Sequence, residues 1–430
     1  MIKKREIWIT GFAIFALFFG AGNLILPPFL GMNSGGEWWF VFFGFILTAV
    51  FIPILGVFAH ANVQGNIYDL GKKASPTFSS MYCFVMYLIA ITIPAPRTAS
   101  VAHEMAIQPF FGSSSLLTSS IYFLLIFVFV MNRSRLLSLI GKFLTPIIVV
   151  ILVAIILLAI TSNPETMKLN VYEVPFVSGI LEGYQTFDAI GGVLIGAVIV
   201  ISLGNRGVKS YDDKKSLITK ASLIAGSGLI LVYGGLIFSG ASLSTLLPVS
   251  GTRTEVLKSL SSQTLGAIGT SFLSVLVALA CFTTAVGIVT GTSDYVKEMF
   301  KNSQKAYVIT AFISCVLGIL IGHFQVSFII KAAIPALMFI YPITIVLIIL
   351  NVLPENWAST LVFRGVVLAT FIFSIPDFLK FLIAEENLFT LKEMVPLSEY
   401  SLGWVLPAII VFLLFNLVSF GNKKTDIINS

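Results

Sequence analysis

The sequence predicts an all-α polytopic membrane protein of twelve transmembrane helices. Three observations carry this. First, apolar residues make up 57% of the 430 residues and charged residues only 11%, with a mean hydropathy of +0.99; a soluble domain carries about 25% charged residues. Second, apolar runs near the ~20 residues needed to cross a bilayer recur along the whole chain. Third, the few basic residues sort by side. This balance excludes a soluble globular protein, a disordered chain and a nucleic-acid binder working through a basic surface.

Taken in order, the runs are spans 1 to 12 at 7–29, 38–60, 78–107, 115–131, 142–161, 181–203, 221–241, 264–291, 306–322, 327–350, 358–374 and 402–420. The charged start Met1-Ile2-Lys3-Lys4-Arg5 leads into an apolar run that continues to Pro27 without a small-residue cleavage site, so it reads as span 1 rather than a cleavable signal. With the N-terminus inside, 18 of the 26 basic residues fall on the inner side, six on the outer side, and Arg97 and Arg364 within spans. The positive-inside bias then places both termini in the cytoplasm, as an even span number requires. All five tryptophans, Trp8, Trp38, Trp39, Trp357 and Trp404, fall at span ends, where an amphipathic indole prefers to sit. Cys83, Cys281 and Cys315 sit in apolar runs without metal or disulfide spacing, and read as buried inert thiols.

Two spans are not plain helices. Span 1 carries Gly20-Ala21-Gly22-Asn23 ahead of Pro27-Pro28. Each glycine costs about 1 kcal/mol against alanine in a helix interior, and an asparagine in hydrocarbon needs a partner. The run predicts a helix that unwinds; the alternative is a glycine packing notch with Asn23 bonding across helices. Span 6 carries Glu182-Gly183-Tyr184-Gln185-Thr186-Phe187-Asp188-Ala189-Ile190-Gly191-Gly192. An intramembrane carboxylate costs roughly 2.5–3.5 kcal/mol on insertion scales, so Asp188 lines a cavity or meets a partner; the alternative is a helix cap near the outer interface. Spans 1 and 6 are five apart. Five is odd, so two five-span units lie upside down relative to each other, with spans 11 and 12 peripheral. The expected organisation is 1–161 and 181–350 as inverted repeats and 351–430 as peripheral helices with a cytoplasmic tail. Paired interruptions of this kind point to a secondary transporter, in which half-helix N-termini hold a substrate carboxylate and unwound carbonyls hold a cation.

Span 8 adds Ala280-Cys281-Phe282-Thr283-Thr284. The two hydroxyls either bond back to their own helix or join carbonyls around a hard cation such as Na⁺. No lysine lies mid-span in span 5 as a positive surrogate, which favours Na⁺ over H⁺. Span 3 carries Pro94-Ala95-Pro96-Arg97-Thr98-Ala99-Ser100-Val101-Ala102-His103-Glu104. Two prolines make a plain helix there improbable. Arg97, His103 and Glu104 are either a polar gate on the substrate pathway or groups bonded near the outer interface. Arg97 and Glu104 lie about 10 Å apart along a helix axis, too far for a direct pair without a kink.

The run Phe18 to Pro28, Pro96-Arg97-Thr98-Ala99 and Gly183 to Ala189 resemble the bacterial branched-chain amino acid:cation symporter family over essentially the whole chain. The wider pattern resembles sodium-coupled transporters with a five-plus-five inverted repeat. The resemblance implies import of leucine, isoleucine and valine with Na⁺ or H⁺, and no organic cofactor. It implies one Na⁺ held by the carbonyls of Ala16, Phe19 and Ala280 and the hydroxyls of Thr283 and Thr284. The substrate carboxylate is expected on N–H groups of the Gly20, Ala21, Gly22 and Asn23 segment. Its ammonium is expected on carbonyls of Tyr184, Gln185, Thr186 and Phe187, aided by Asp188. The expected setting is the lipid bilayer of a bacterial inner membrane, with no nucleic acid and no obligate protein partner. Competing classes are a symporter of another neutral amino acid or small polar solute, a cation channel with Asp188 and Glu104 as filter charges, and a membrane enzyme using His103, Glu104 and Asp188. No nucleophile or metal-ligand motif accompanies the last, so the chain is not expected to be an enzyme.

Overall fold

The computed structural model describes all residues except 1–3, 133–134, 163–165, 206–207, 209, 249, 382–394 and 429–430. Of the basic residues sorted by side above, Lys3, Arg133, Arg206, Lys209 and Lys392 lie outside the described residues. The described residues are helical throughout, without a strand. This follows from chemistry: in hydrocarbon every backbone N–H and C=O must be satisfied within its own segment, and a helix does that.

Each of the twelve predicted runs falls on helix. Among the described residues nine helices are long and apolar enough to cross a membrane, ten with the bent pair Pro175–Tyr184 and Asp188–Gly204 taken as one. The shortfall from twelve has two causes. Span 1 is split into Lys4–Phe18 and Leu26–Ser34, each too short alone, and the last helix, Val405–Ile428, enters that count only over its apolar stretch Val405–Val418. Span 8 also departs from expectation. Its helix begins at Arg253, well before 264, and Gly266 at φ 70° breaks it into two pieces. Only glycine takes that backbone conformation without strain. The Thr252-Arg253-Thr254-Glu255 sequence is a capping box: Thr252 N donates to Glu255 Oε2 at 2.7 Å, which starts the early helix.

Large apolar side chains cover the outside, among them Phe12, Phe43, Leu124, Val150, Leu231, Phe312 and Leu417. Trp8, Trp39 and Trp357 are exposed, whereas Trp404 is packed inside. All three cysteines are free and buried.

The two broken helices each lie along an unbroken neighbour through glycine contacts. Span 6 lies on span 2 (Trp38–Val63): a methyl at Gly179 would strike Val41 O, one at Gly183 would strike Thr48 Oγ1, and one at Gly192 would meet the backbone of Pro53. Span 1 lies on span 7 (Tyr211–Ser242): a methyl at Gly31 would strike Ile237 O, and one at Gly240 would strike Pro28 O. Small residues permit this backbone approach where lipid supplies no hydrophobic drive. The remaining neighbours follow a pattern. Span 5 packs on spans 7 and 8, and span 10 on spans 2 and 3. Shifting every number by five turns each of these pairs into another on the same list.

Candidate functional site

The site forms where the breaks of spans 1 and 6 face each other. In span 1 the helix ends at Phe18. Gly20 N donates to Phe18 O at 2.7 Å, which leaves Ala16 O without its regular helical donor. A single 3₁₀ turn, Ala21–Asn23, follows. The helix resumes at Leu26 with proline in its first turn, where a missing N–H costs nothing. The glycines here are not packing notches. A methyl at Gly20 would find nothing nearer than Asn23 Nδ2 at 3.8 Å, and one at Gly22 only Arg97 Nε and Nη2 at 3.7 Å. The unwound reading of this run therefore holds over the packing-notch alternative.

In span 6 the first half-helix ends at Tyr184. Three tight turns follow, Gln185 N to Glu182 O at 3.0 Å, Thr186 N to Gly183 O at 3.2 Å and Phe187 N to Tyr184 O at 3.1 Å. Phe187 sits at φ 61°, a left-handed conformation that costs a non-glycine residue roughly 1–2 kcal/mol. Thr186 compensates locally: its hydroxyl donates to Gly183 O at 2.8 Å and accepts Asp188 N at 3.1 Å. The second half-helix starts at Asp188. Asp188 begins a helix, as the cap alternative has it, and its carboxylate is buried among protein at 6% exposure.

The two breaks are joined directly. Asn23 Nδ2 donates to Asp188 Oδ1 at 2.9 Å. Arg97 of span 3 enters the same place: Nη2 donates to Asn23 Oδ1 at 3.3 Å and Nη1 to Gln185 O at 2.6 Å. Its guanidinium lies 5.2 Å from the Phe187 ring centroid. Arg97 is buried at 3% exposure and reaches both broken helices. Behind the turn, Tyr341 Oη accepts Ala189 N at 3.2 Å, and its ring stacks on Tyr184 at 4.4 Å. Three buried polar atoms at this junction, Gln185 Oε1, Asp188 Oδ2 and Tyr233 Oη, lack a hydrogen bond of regular geometry, and the Tyr233 hydroxyl stands close to Asp188 and Asn23. Thus Gly20, Gly22, Asn23 and Tyr184 to Asp188 converge as expected, and so does the backbone of Ala21. Tyr233 and Tyr341 were missed, because a tyrosine inside an apolar run looks like ordinary core.

The other predicted residues lie elsewhere. Thr283 and Thr284 both donate back to Ala280 O, at 2.9 and 3.0 Å. Each hydroxyl oxygen keeps lone pairs for a cation. Their helix packs against the Ala21–Asn23 turn. His103 Nδ1 pairs with Thr118 Oγ1 of span 4 at 2.9 Å. Glu104 accepts Thr254 Oγ1 at 2.5 Å and Val326 N at 2.9 Å. The structure therefore separates Glu104 and His103 from Arg97: a π turn over His103–Ile107 re-aims them. Next to Glu104, Arg253 grips Glu182 with two bonds of 2.6 and 2.9 Å and lies 4.4 Å over the Phe29 ring. This contact ties the Arg253 helix to the second half-helix of span 1 and the first of span 6; the capping box signalled the helix start, not the contact. Among the described residues no group of three or more His, Cys, Asp or Glu side chains is placed to hold a metal.

Comparison with known proteins agrees with this architecture. Residues 3–421 match the family model described as branched-chain amino acid transport protein. The chain is 32% identical over 422 residues to the branched-chain amino acid permease BraB of Bacillus subtilis, covering 95% of this chain and 94% of that one. It is 32% identical over 425 residues to the branched-chain amino acid transport system 2 carrier protein of Pseudomonas aeruginosa, covering 96% of each. Among solved structures, Mhp1 in an inward-facing conformation superposes with a TM-score of 0.63 at 14% identity, covering 97% of this chain and 91% of that one. MhsT in complex with L-phenylalanine gives 0.56 at 15% identity, covering 97% and 98%. Those two likenesses establish a shared helical transporter fold. On the family match and the near full-length relatives, the chain is a transport protein rather than an enzyme, and it belongs to the branched-chain amino acid transport protein family.

Proposed function

We propose that the protein imports leucine, isoleucine and valine across the bacterial inner membrane by symport with a cation, Na⁺, through alternating access. The observation that carries this is the meeting of two broken helices at a buried polar junction, Asn23 with Asp188 at 2.9 Å, beside glycines where an added methyl would meet its neighbours only in ordinary contact. Unwound segments present free N–H groups and carbonyls to a zwitterion where plain helices present none. The substrate ammonium meets the span 6 carbonyls and Asp188. An apolar pocket discriminates a methylene only modestly, roughly 10–200-fold, so the three substrates overlap.

Na⁺ is co-transported on Ala16, Phe19, Ala280, Thr283 and Thr284. Two things support that placement: Ala16 O loses its helical donor at the break, and the threonine hydroxyls sit on a helix packed against that break. The exchange of packing partners under a five-span shift supports two inverted five-span repeats, residues 1–161 and 181–350, with 351–430 outside them. Both termini are cytoplasmic on the basic-residue bias. Uptake of labelled leucine into proteoliposomes under an imposed Na⁺ gradient tests the proposal. Uptake that ignores Na⁺ and follows a pH gradient removes the ion assignment, and H⁺ then becomes the coupling ion, a reading that the buried Asp188 carboxylate favours. Failure of isoleucine and valine to compete removes the substrate class.

A further inference from the structure

Arg97 is an anomaly in a helix bundle so poor in buried charge. Its guanidinium is buried, and both of its hydrogen-bond acceptors, Gln185 O and Asn23 Oδ1, are neutral. Among the described residues no carboxylate comes within ion-pair distance of it. A buried guanidinium with neutral partners alone carries a large desolvation cost. Its nearest negative group, Asp188, is reached only through the Asn23 carboxamide: Arg97 to Asn23 Oδ1, then Asn23 Nδ2 to Asp188 Oδ1. This orientation of the amide is the one that satisfies both ends. The carboxamide thus turns its partial negative oxygen to Arg97 and its partial positive nitrogen to Asp188, the polarity of an amino-acid headgroup.

The Nε–Nη2 edge of Arg97 is the edge that grips a carboxylate with two parallel bonds. Here it faces Gly22, whose missing side chain leaves both atoms 3.7 Å from where a methyl would sit. At the other end of the same junction Gln185 Oε1 and Asp188 Oδ2 are buried acceptors without a regular hydrogen bond, with the Tyr233 hydroxyl beside Asp188, and they suit an ammonium. We propose that Arg97 is the substrate-carboxylate anchor: the α-carboxylate docks on its Nε–Nη2 edge, the α-ammonium on Asp188, and the zwitterion takes over the role of the Asn23 carboxamide between the two charges. This inference rests on the amino-acid transport reading and adds a side-chain anchor to the backbone N–H groups of Ala21 to Asn23. It also assigns Gly22 a purpose, which is to keep the carboxylate edge uncovered.

The test compares leucine with leucinamide, which keeps the ammonium and side chain but has no carboxylate. Binding is measured on the purified full-length protein, with thermal melting as the control for folding. In Arg97→Gln, leucine affinity falls about 100-fold while leucinamide affinity changes by less than about threefold, because truncating one partner of a desolvated charged pair is costly. Gly22→Ala covers the same edge with a methyl in ordinary contact, so the chain folds; leucine affinity falls about tenfold and leucinamide is spared. The anchor is refuted if leucine binds Gly22→Ala and Arg97→Gln as it binds the native protein. It is equally refuted if leucine and leucinamide weaken by the same factor, the mark of a merely structural role. Should Arg97→Gln not fold, Gly22→Ala decides alone. A native protein that binds no branched-chain amino acid overturns the transport reading itself, an outcome distinct from these.

Discussion

Gly183→Ala tests how the span 6 turn is held. Gly183 supplies the carbonyl that accepts the Thr186 hydroxyl and precedes the residues that face Arg97. A methyl there lands on Thr48 Oγ1 and presses Thr48 Cβ at 3.1 Å and Phe45 O at 3.2 Å. Thr48 is not free to turn away without loss, since its hydroxyl donates to Ile180 O at 2.9 Å. The cost has two parts. Overpacking a tight contact costs about 1–3 kcal/mol, and a displaced buried hydrogen bond costs about 1 kcal/mol, so Gly183→Ala destabilises by about 2–4 kcal/mol. Thr48→Ala alone removes only the bond, for about 1 kcal/mol. The double variant removes the clash with Oγ1 and leaves only the tight contacts to Cβ and Phe45 O, so it melts higher than Gly183→Ala despite carrying an extra substitution. Thermal unfolding of the four proteins in one detergent gives the cycle, and leucine uptake follows the same order because the turn carries Gln185 O. Additive effects of the two substitutions would refute the reasoning, as they would mean that the methyl never meets Thr48.

Three further outcomes are expected. Glu182→Gln leaves Arg253 without its two charged bonds in a largely shielded place, where both side chains are under a fifth exposed; melting falls by about 2–3 kcal/mol, and the Glu182→Gln, Arg253→Gln pair recovers part of the loss. Tyr341→Phe strips the acceptor from Ala189 N and costs about 1–3 kcal/mol, read by thermal melting, with the Tyr184 stacking kept. Thr284→Ala removes one proposed Na⁺ oxygen together with a back-bond to Ala280 O; the Na⁺ concentration needed for half-maximal uptake rises while expression is unchanged, and an unaltered Na⁺ dependence would take span 8 out of the ion site.

Sequence alone determined the features set by local composition and backbone chemistry. Apolar runs without water must become helices, so the all-helical architecture was legible throughout. Gly20 to Asn23 ahead of Pro27-Pro28, and Gly183 to Gly192 around Asp188, announced two breaks because glycine, proline and buried polar groups each weaken a helix where they stand. What the tertiary structure decided were the partners of long side chains, which depend on neighbours distant in the chain. Arg97 and Glu104 sit seven residues apart on one span, yet Arg97 reaches Asn23 and Gln185 while Glu104, inside the π turn His103–Ile107, reaches Thr254 and Val326. The early helix at Arg253 had a local signal in its capping box, but its grip on Glu182 had none. Charge in a membrane protein is scarce, so its sequence position is conspicuous. Where each charge is compensated is a matter of packing, and in this protein packing places Arg97 between the two broken helices.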